Sequence, residues 1–195
     1  LVKKEKSDAL SLTNEAVVKS DFNPVILNGL GYVHLVREEY KESIEILKTL
    51  LDYNPYIITS HWDIIQAYRM VSEHKEAYVY SQKLINCIED QNVFSLPSNR
   101  RISIMENDFD GNCEFFKGIN EKKCYSYFTA ALSSYLVDKK AESYIYIEKA
   151  LSLIYCDQTK ALKVLVHNIN CLEKDNEEFK KVLYKFRKNI EKLIL

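Results

Sequence analysis

The stretch from Asn23 to Ile57 constrains the fold more than any other part of the chain. Asn23 suits a helix N-cap, and Pro24 suits the first helical position, where its missing N–H costs nothing. Apolar residues then recur at Ile26, Leu27, Leu30, Val33 and Leu35, the spacing of one helical face. The polar run Arg37-Glu38-Glu39 interrupts the pattern. A second helical run follows through Tyr40, Ile44, Leu47, Leu50 and Leu51, and Asn54-Pro55 ends it. Only 4 Gly and 3 Pro occur in 195 residues, so there is little turn chemistry elsewhere and the chain reads as all-α.

This helix–turn–helix resembles the tetratricopeptide repeat, a unit of about 34 residues. The family pattern places Trp, Leu, Gly and Tyr in the first helix, then Ala, an aromatic and Ala in the second, then Pro. Here those places hold Leu27, Leu30, Gly31, His34, Ser43, Leu47, Leu50 and Pro55. The Leu-Gly pair and the Pro match, and His34, Ser43 and Leu50 depart, although Ser43 keeps a small side chain. One repeat length later stand His61, Ile64, Ile65, Tyr68, Ala77, Ser81, Leu84 and Glu89, with Tyr68 and Ala77 the family residues. Ser60 with Asp63 forms a capping-box-like start for this second unit. One length earlier stand Ala9, Thr13 and Ala16. A further copy falls at Tyr127, Ala130, Ala131, Ser134, Ser143, Ile147 and Ala150.

The resemblance implies a single domain over 1–195, a right-handed solenoid with an irregular central insertion. Residues 1–22 are a half-repeat or capping helix, helical from Lys3 to Lys19. Residues 23–57 and 58–90 are repeats, 91–123 an irregular insertion or degenerate repeat, 124–156 a repeat, and 157–195 a closing helix pair. In the second repeat the helices are expected near His61–Val71 and Lys75–Ile88. Asn120 is expected to cap a helix from Glu121 to Val137, paired with Lys140–Leu153; Lys160–Leu172 and Glu177–Ile194 close the chain. The first helix looks like the second half of a repeat whose first half is missing. The chain is therefore read as a portion of a longer protein, with a capping helix as the alternative.

The insertion concentrates breakers: Pro97, Gly111 and Gly118. Either Arg101–Glu106 is a short helix with Asp110-Gly111 as a turn, or Ile102–Met105 and Cys113–Phe116 pair as a hairpin. Its acidic run superficially resembles a calcium loop, but Lys117 stands where a closing Glu is needed, so a solvated acidic turn is expected.

Composition removes several classes. Net charge is −1 with the signs interspersed, and no basic stripe favours nucleic acid. No apolar run reaches membrane-spanning length. Five Cys without a CxxC read as free thiols in a reducing compartment, which points to the cytoplasm; a zinc site assembled from distant residues is the alternative. No metal or cofactor is expected. His34, His61, His74 and His167 have no motif-defined catalytic partner, and no phosphate loop, HExxH or GxSxG occurs, so no enzyme is expected.

In similar repeats the first helix of each pair lines a concave groove that holds a peptide or partner helix. The resemblance places Asn28, Tyr32 and Leu35 there from the first repeat, and Thr59, Trp62, Gln66 and Arg69 from the second. Tyr125, Phe128, Leu132 and Tyr135 follow from the later one. Relatives that hold acidic chaperone C-termini use Lys, Asn and Arg in such grooves. The corresponding Asn28, Tyr32, Asp63, Tyr125 and Thr129 leave no cation clamp, so that ligand class is not expected. An aromatic lining suits an apolar or amphipathic protein segment. The expected function is a scaffold or adaptor portion, with a peptide-sensing regulatory domain as runner-up and an enzyme sited in the insertion behind both. Repeat ends can stack on a second copy, which makes a homodimer compatible with this reading. The basic face of the last helix, including Lys181 and Lys185, reads first as a solubilising cap and second as an acidic-partner site.

Overall fold

The computed structural model describes residues 23–90 and 119–153, with Tyr184 beyond them. Among the described residues all extended regular structure is α-helix: α1 (Pro24–Val36), α2 (Tyr40–Tyr53), α3 (Ile58–Met70), α4 (His74–Glu89), α5 (Ile119–Leu136) and α6 (Lys140–Ser152). These pack as sequential antiparallel pairs. The chain divides into two compact units, Leu1–Asn107 with Leu136–Asp138, and Asp108–Tyr135 with Lys139–Leu195. The expected helices Lys3–Lys19 and Lys160–Leu172, all of Glu177–Ile194 except Tyr184, residues 91–118 of the insertion and the basic last-helix face lie outside the described residues. Among the described residues no helix is long and apolar enough to cross a membrane.

Asn23 caps α1 as expected, its side-chain Oδ1 accepting from the Val25 N–H at 2.9 Å. The capping box at Ser60 does not form. α3 starts earlier, at Ile58, with Ile57 at its N-cap and no side-chain cap. The Ser60 hydroxyl instead donates to Asn28 Oδ1 of α1 at 2.5 Å. α5 likewise starts earlier than expected, at Ile119 and not at Glu121, so Asn120 lies inside it and does not cap it.

The three helix pairs share one turn. Glu38, Ser72 and Asp138 sit at φ 66°, 61° and 62°. The following N–H reaches back each time: Glu39 to His34 O at 3.0 Å, Glu73 to Tyr68 O at 2.9 Å, and Lys139 to Ser134 O at 2.9 Å. This bond pattern at a left-handed residue closes a helix C-terminus and reverses the chain. Glycine is absent from all three positions, so each carries a steric cost of roughly 1–2 kcal/mol, which the paired helices offset. Ser72→Gly is therefore expected to stabilise the first unit by about 0.5–1 kcal/mol after glycine's entropy loss, raising its melting temperature by ~2–4 °C. Thermal melts followed by Trp62 fluorescence check this; an unchanged or lower midpoint would count against the turn geometry.

Small buried residues bring the paired helices together. Ser43 Oγ donates to Gly31 O at 2.9 Å across the first pair, and Ser143 Oγ donates to Ala131 O at 2.7 Å across the last. Ala77 takes the matching place in the middle pair and is fully buried. Gly31 is required by close approach: a Cβ there would stand 2.6 Å from Leu47 Cδ2 and 2.7 Å from its Cγ. The first unit's core is continuous. α1 packs on α2, α2 on α3, α3 on α4, and α1 also on α3. Leu47, Leu50, Ile64, Ile65 and Leu84 are fully buried, each worth about 1.5–3 kcal/mol of apolar transfer.

Candidate functional site

α1 and α3 lie side by side in the first unit, and the Ser60–Asn28 bond ties them together. Side chains three, four or seven apart share a helix face. On α1, Val25, Tyr32 and Val36 fall on one such stripe and are 39%, 50% and 41% exposed. Gly29 completes the stripe, and a Cβ added there would meet nothing within 4 Å. On α3, Thr59 and Trp62 are half-buried, Gln66 is exposed, and Met70 is 45% exposed. Arg69 is half-buried on the same side, one turn beyond Gln66. The result is a face of large apolar side chains on α1 beside a mixed aromatic and polar strip on α3.

Of the expected lining residues in this unit, Asn28, Tyr32, Thr59, Trp62, Gln66 and Arg69 keep accessible surface. Leu35 does not: it is buried and packs the core. Val25, Val36 and Met70 belong to the exposed face although no family position drew attention to them. Their signal was present in the sequence, because Val36 and Met70 stand four residues beyond Tyr32 and Gln66, and Val25 seven before Tyr32.

The second unit offers less than expected. Phe128 and Leu132 are buried, and Tyr125 and Tyr135 are half-buried. From Cys124 to Ser134, Tyr125 is the one residue of α5 that is not buried. Small side chains allow this enclosure, and their hydroxyls are satisfied inside the helix. Ser126 donates to Lys122 O at 2.8 Å, Thr129 to Tyr125 O at 2.9 Å, and Ser133 to Thr129 O at 3.0 Å. The Lys140 ammonium stands 5.9 Å from the Tyr135 ring centroid, so that ring already serves a cation.

Several ionisable groups of the first unit serve structure. Glu39 accepts from Arg37 Nε at 2.9 Å and pairs with His34 Nδ1 at 2.8 Å, closing the α1–α2 turn. The Arg37 guanidinium holds the Glu39 carboxyl below its usual range. His61 is buried, with Nε2 2.8 Å from the Pro55 carbonyl. A carbonyl only accepts, so Nε2 carries the proton and donates. Desolvation lowers the His61 pKa to about 4, the Pro55 carbonyl opposes this, and Lys83 adds to it. Tyr68 stacks on Tyr80 with centroids 5.5 Å apart, and burial pushes the Tyr68 hydroxyl up to about 12. Among the described residues no cluster of three or more His, Cys, Asp or Glu is placed to hold a metal ion.

No protein-family model matches the chain, and no curated protein matches it at a significant level.

Proposed function

We propose that the chain is a tetratricopeptide-like solenoid, a right-handed superhelix that serves as the binding portion of a larger scaffold or adaptor protein. The α1–α3 face holds an apolar or amphipathic segment of a partner protein. The single observation that carries this reading is the exposed stripe Val25, Tyr32 and Val36, with Gly29 leaving open space between them. Covering such a stripe releases about 25 cal/mol per Å² of apolar surface. Trp62 and Arg69 beside it are residue types that commonly anchor protein interfaces. The repeat reading is supported by the three like turns and by α1 packing on both α2 and α3, as stacked helix pairs do. The face carries no cluster of cations, so an acidic carboxylate end is a poor ligand for it.

The test is selection from a displayed library of random peptides on the intact chain. Enriched peptides are expected to be amphipathic and to lose binding to a Tyr32→Glu/Val36→Glu variant by a factor of about 100, because two charges would be buried against apolar side chains. Both substituted positions are exposed, so the variant keeps its fold, which circular dichroism verifies. Peptides that bind both proteins equally would overturn this assignment of the face.

A further inference from the structure

A second feature of the first unit lies apart from the α1–α3 stripe. A cavity of about 410 Å³ opens where the end of α2, the Pro55-Tyr56 turn, α3 and the last turns of α4 meet. Leu51, Tyr56 and Cys87 supply apolar wall, and Asp52, Lys83 and Asn86 supply polar wall. Asp52 and Lys83 are both exposed, yet they form no ion pair with each other. The Lys83 ammonium stands instead 4.3 Å from the Tyr80 ring centroid. Opposite charges held apart across one cavity, with a carboxamide beside them, fit a small molecule that bears both charges on neighbouring atoms.

Three neighbours narrow the chemistry. Asp90 also lines the cavity and adds a second carboxylate, which favours the cationic end of a ligand. His61 lines it as a neutral imidazole whose Nε2 is already taken by the Pro55 carbonyl at 2.8 Å, so it adds ring surface and no charge. Burial and Asp90 push the Cys87 thiol up to about 12, so it stays protonated and contributes surface, not a nucleophile.

We propose that this cavity binds a free α-amino acid with an apolar side chain. The ammonium group lies at Asp52, the carboxylate at Lys83 and the Asn86 amide, and the side chain against Leu51 and Tyr56. A peptide terminus offers only one of the two charges and is the poorer ligand. The proposal does not rest on the partner-binding role of α1 and α3.

Calorimetric titration of the intact chain with each of the common amino acids tests it. At least one apolar amino acid is expected to bind saturably below about 10 mM. Its N-acetyl derivative and its methyl ester, each lacking one charge, are expected to bind at least about tenfold more weakly. Asp52→Asn and Lys83→Met are expected to weaken binding by a similar factor, whereas Tyr32→Glu leaves it unchanged. Both cavity substitutions fall on exposed side chains, and melting curves verify that the variants fold. Absence of saturation for every amino acid would overturn the proposal. So would binding that is unchanged in either cavity variant, or equal for a blocked derivative.

Discussion

Gly31→Ile is expected to destabilise the first unit by about 3 kcal/mol, and Leu47→Ser by about 3–5 kcal/mol, yet the double variant is expected to lose less than either alone. The reason lies in how the pairs divide space. A Cβ at position 31 would collide with Leu47, which is fully buried and has no room to retreat. Thirty-four residues on, the same two places hold Ile65 and Ser81, both fully buried. In the last pair they hold Ala131 and Ile147, buried as well. Each pair sets a small residue against a large one, but the large one changes sides. Transplanting the Ile–Ser solution into the first pair therefore removes the collision and fills the cavity together. A serine at position 47 also has a local acceptor available, as Ser81 donates to Tyr78 O at 2.7 Å. Urea denaturation followed by Trp62, the chain's sole Trp, reads the first unit selectively. Because the single losses sum to about 6–8 kcal/mol and the double variant loses less than about 3, a coupling of more than about 3 kcal/mol is expected in the double-mutant cycle. Simple additivity would show that positions 31 and 47 do not share one space.

The second large effect is a loss of stability in acid. Unfolded His61 takes up a proton near its ordinary pKa of 6.5, whereas folded His61 takes it up only near 4. Between these values the unfolded state binds the extra proton, so stability falls as pH falls through this window. The full effect of this residue is on the order of 3 kcal/mol. Comparing the parent with His61→Leu isolates it from the carboxylates that titrate nearby. Leu is a fair substitute because Leu27 stands thirty-four residues earlier, at the matching place of the preceding helix pair. The variant is expected to lose less stability than the parent between pH 6.5 and 4. Near pH 7 it is somewhat less stable, because the Pro55 carbonyl loses its donor. Identical pH profiles for the two proteins would show that His61 is not held neutral by burial.

The helix pairs were legible because their signals are local. Asn23 and Pro24 start α1, the apolar spacing marks its inner face, and the polar triplet around Glu38 marks the turn. The failures are non-local. Ser60 reads as a cap from its neighbours, yet its hydroxyl serves Asn28 on another helix. Phe128 and Leu132 read as groove-lining residues in the sequence, but Ala130, Ala131, Ser133 and Ser134 make α5 slim enough to be enclosed. Leu35 reads as a lining residue too and is taken into the core. The exposed face is half legible: the resemblance points to Tyr32 and Trp62, whereas Val25, Val36 and Met70 follow only from helical spacing, four or seven residues from Tyr32 and Gln66. The cavity between Asp52 and Lys83 joins residues 31 apart in sequence and carries no motif.

The α1–α3 face is proposed to hold a partner segment. Affinity capture from an extract of the source cells, with the parent chain beside the folded Tyr32→Glu/Val36→Glu variant, tests it most directly. A protein retained by the parent and lost by the variant, whose bound segment also shifts Trp62 emission on titration, is the expected result. A protein retained equally by both would contradict it and place binding elsewhere on the chain.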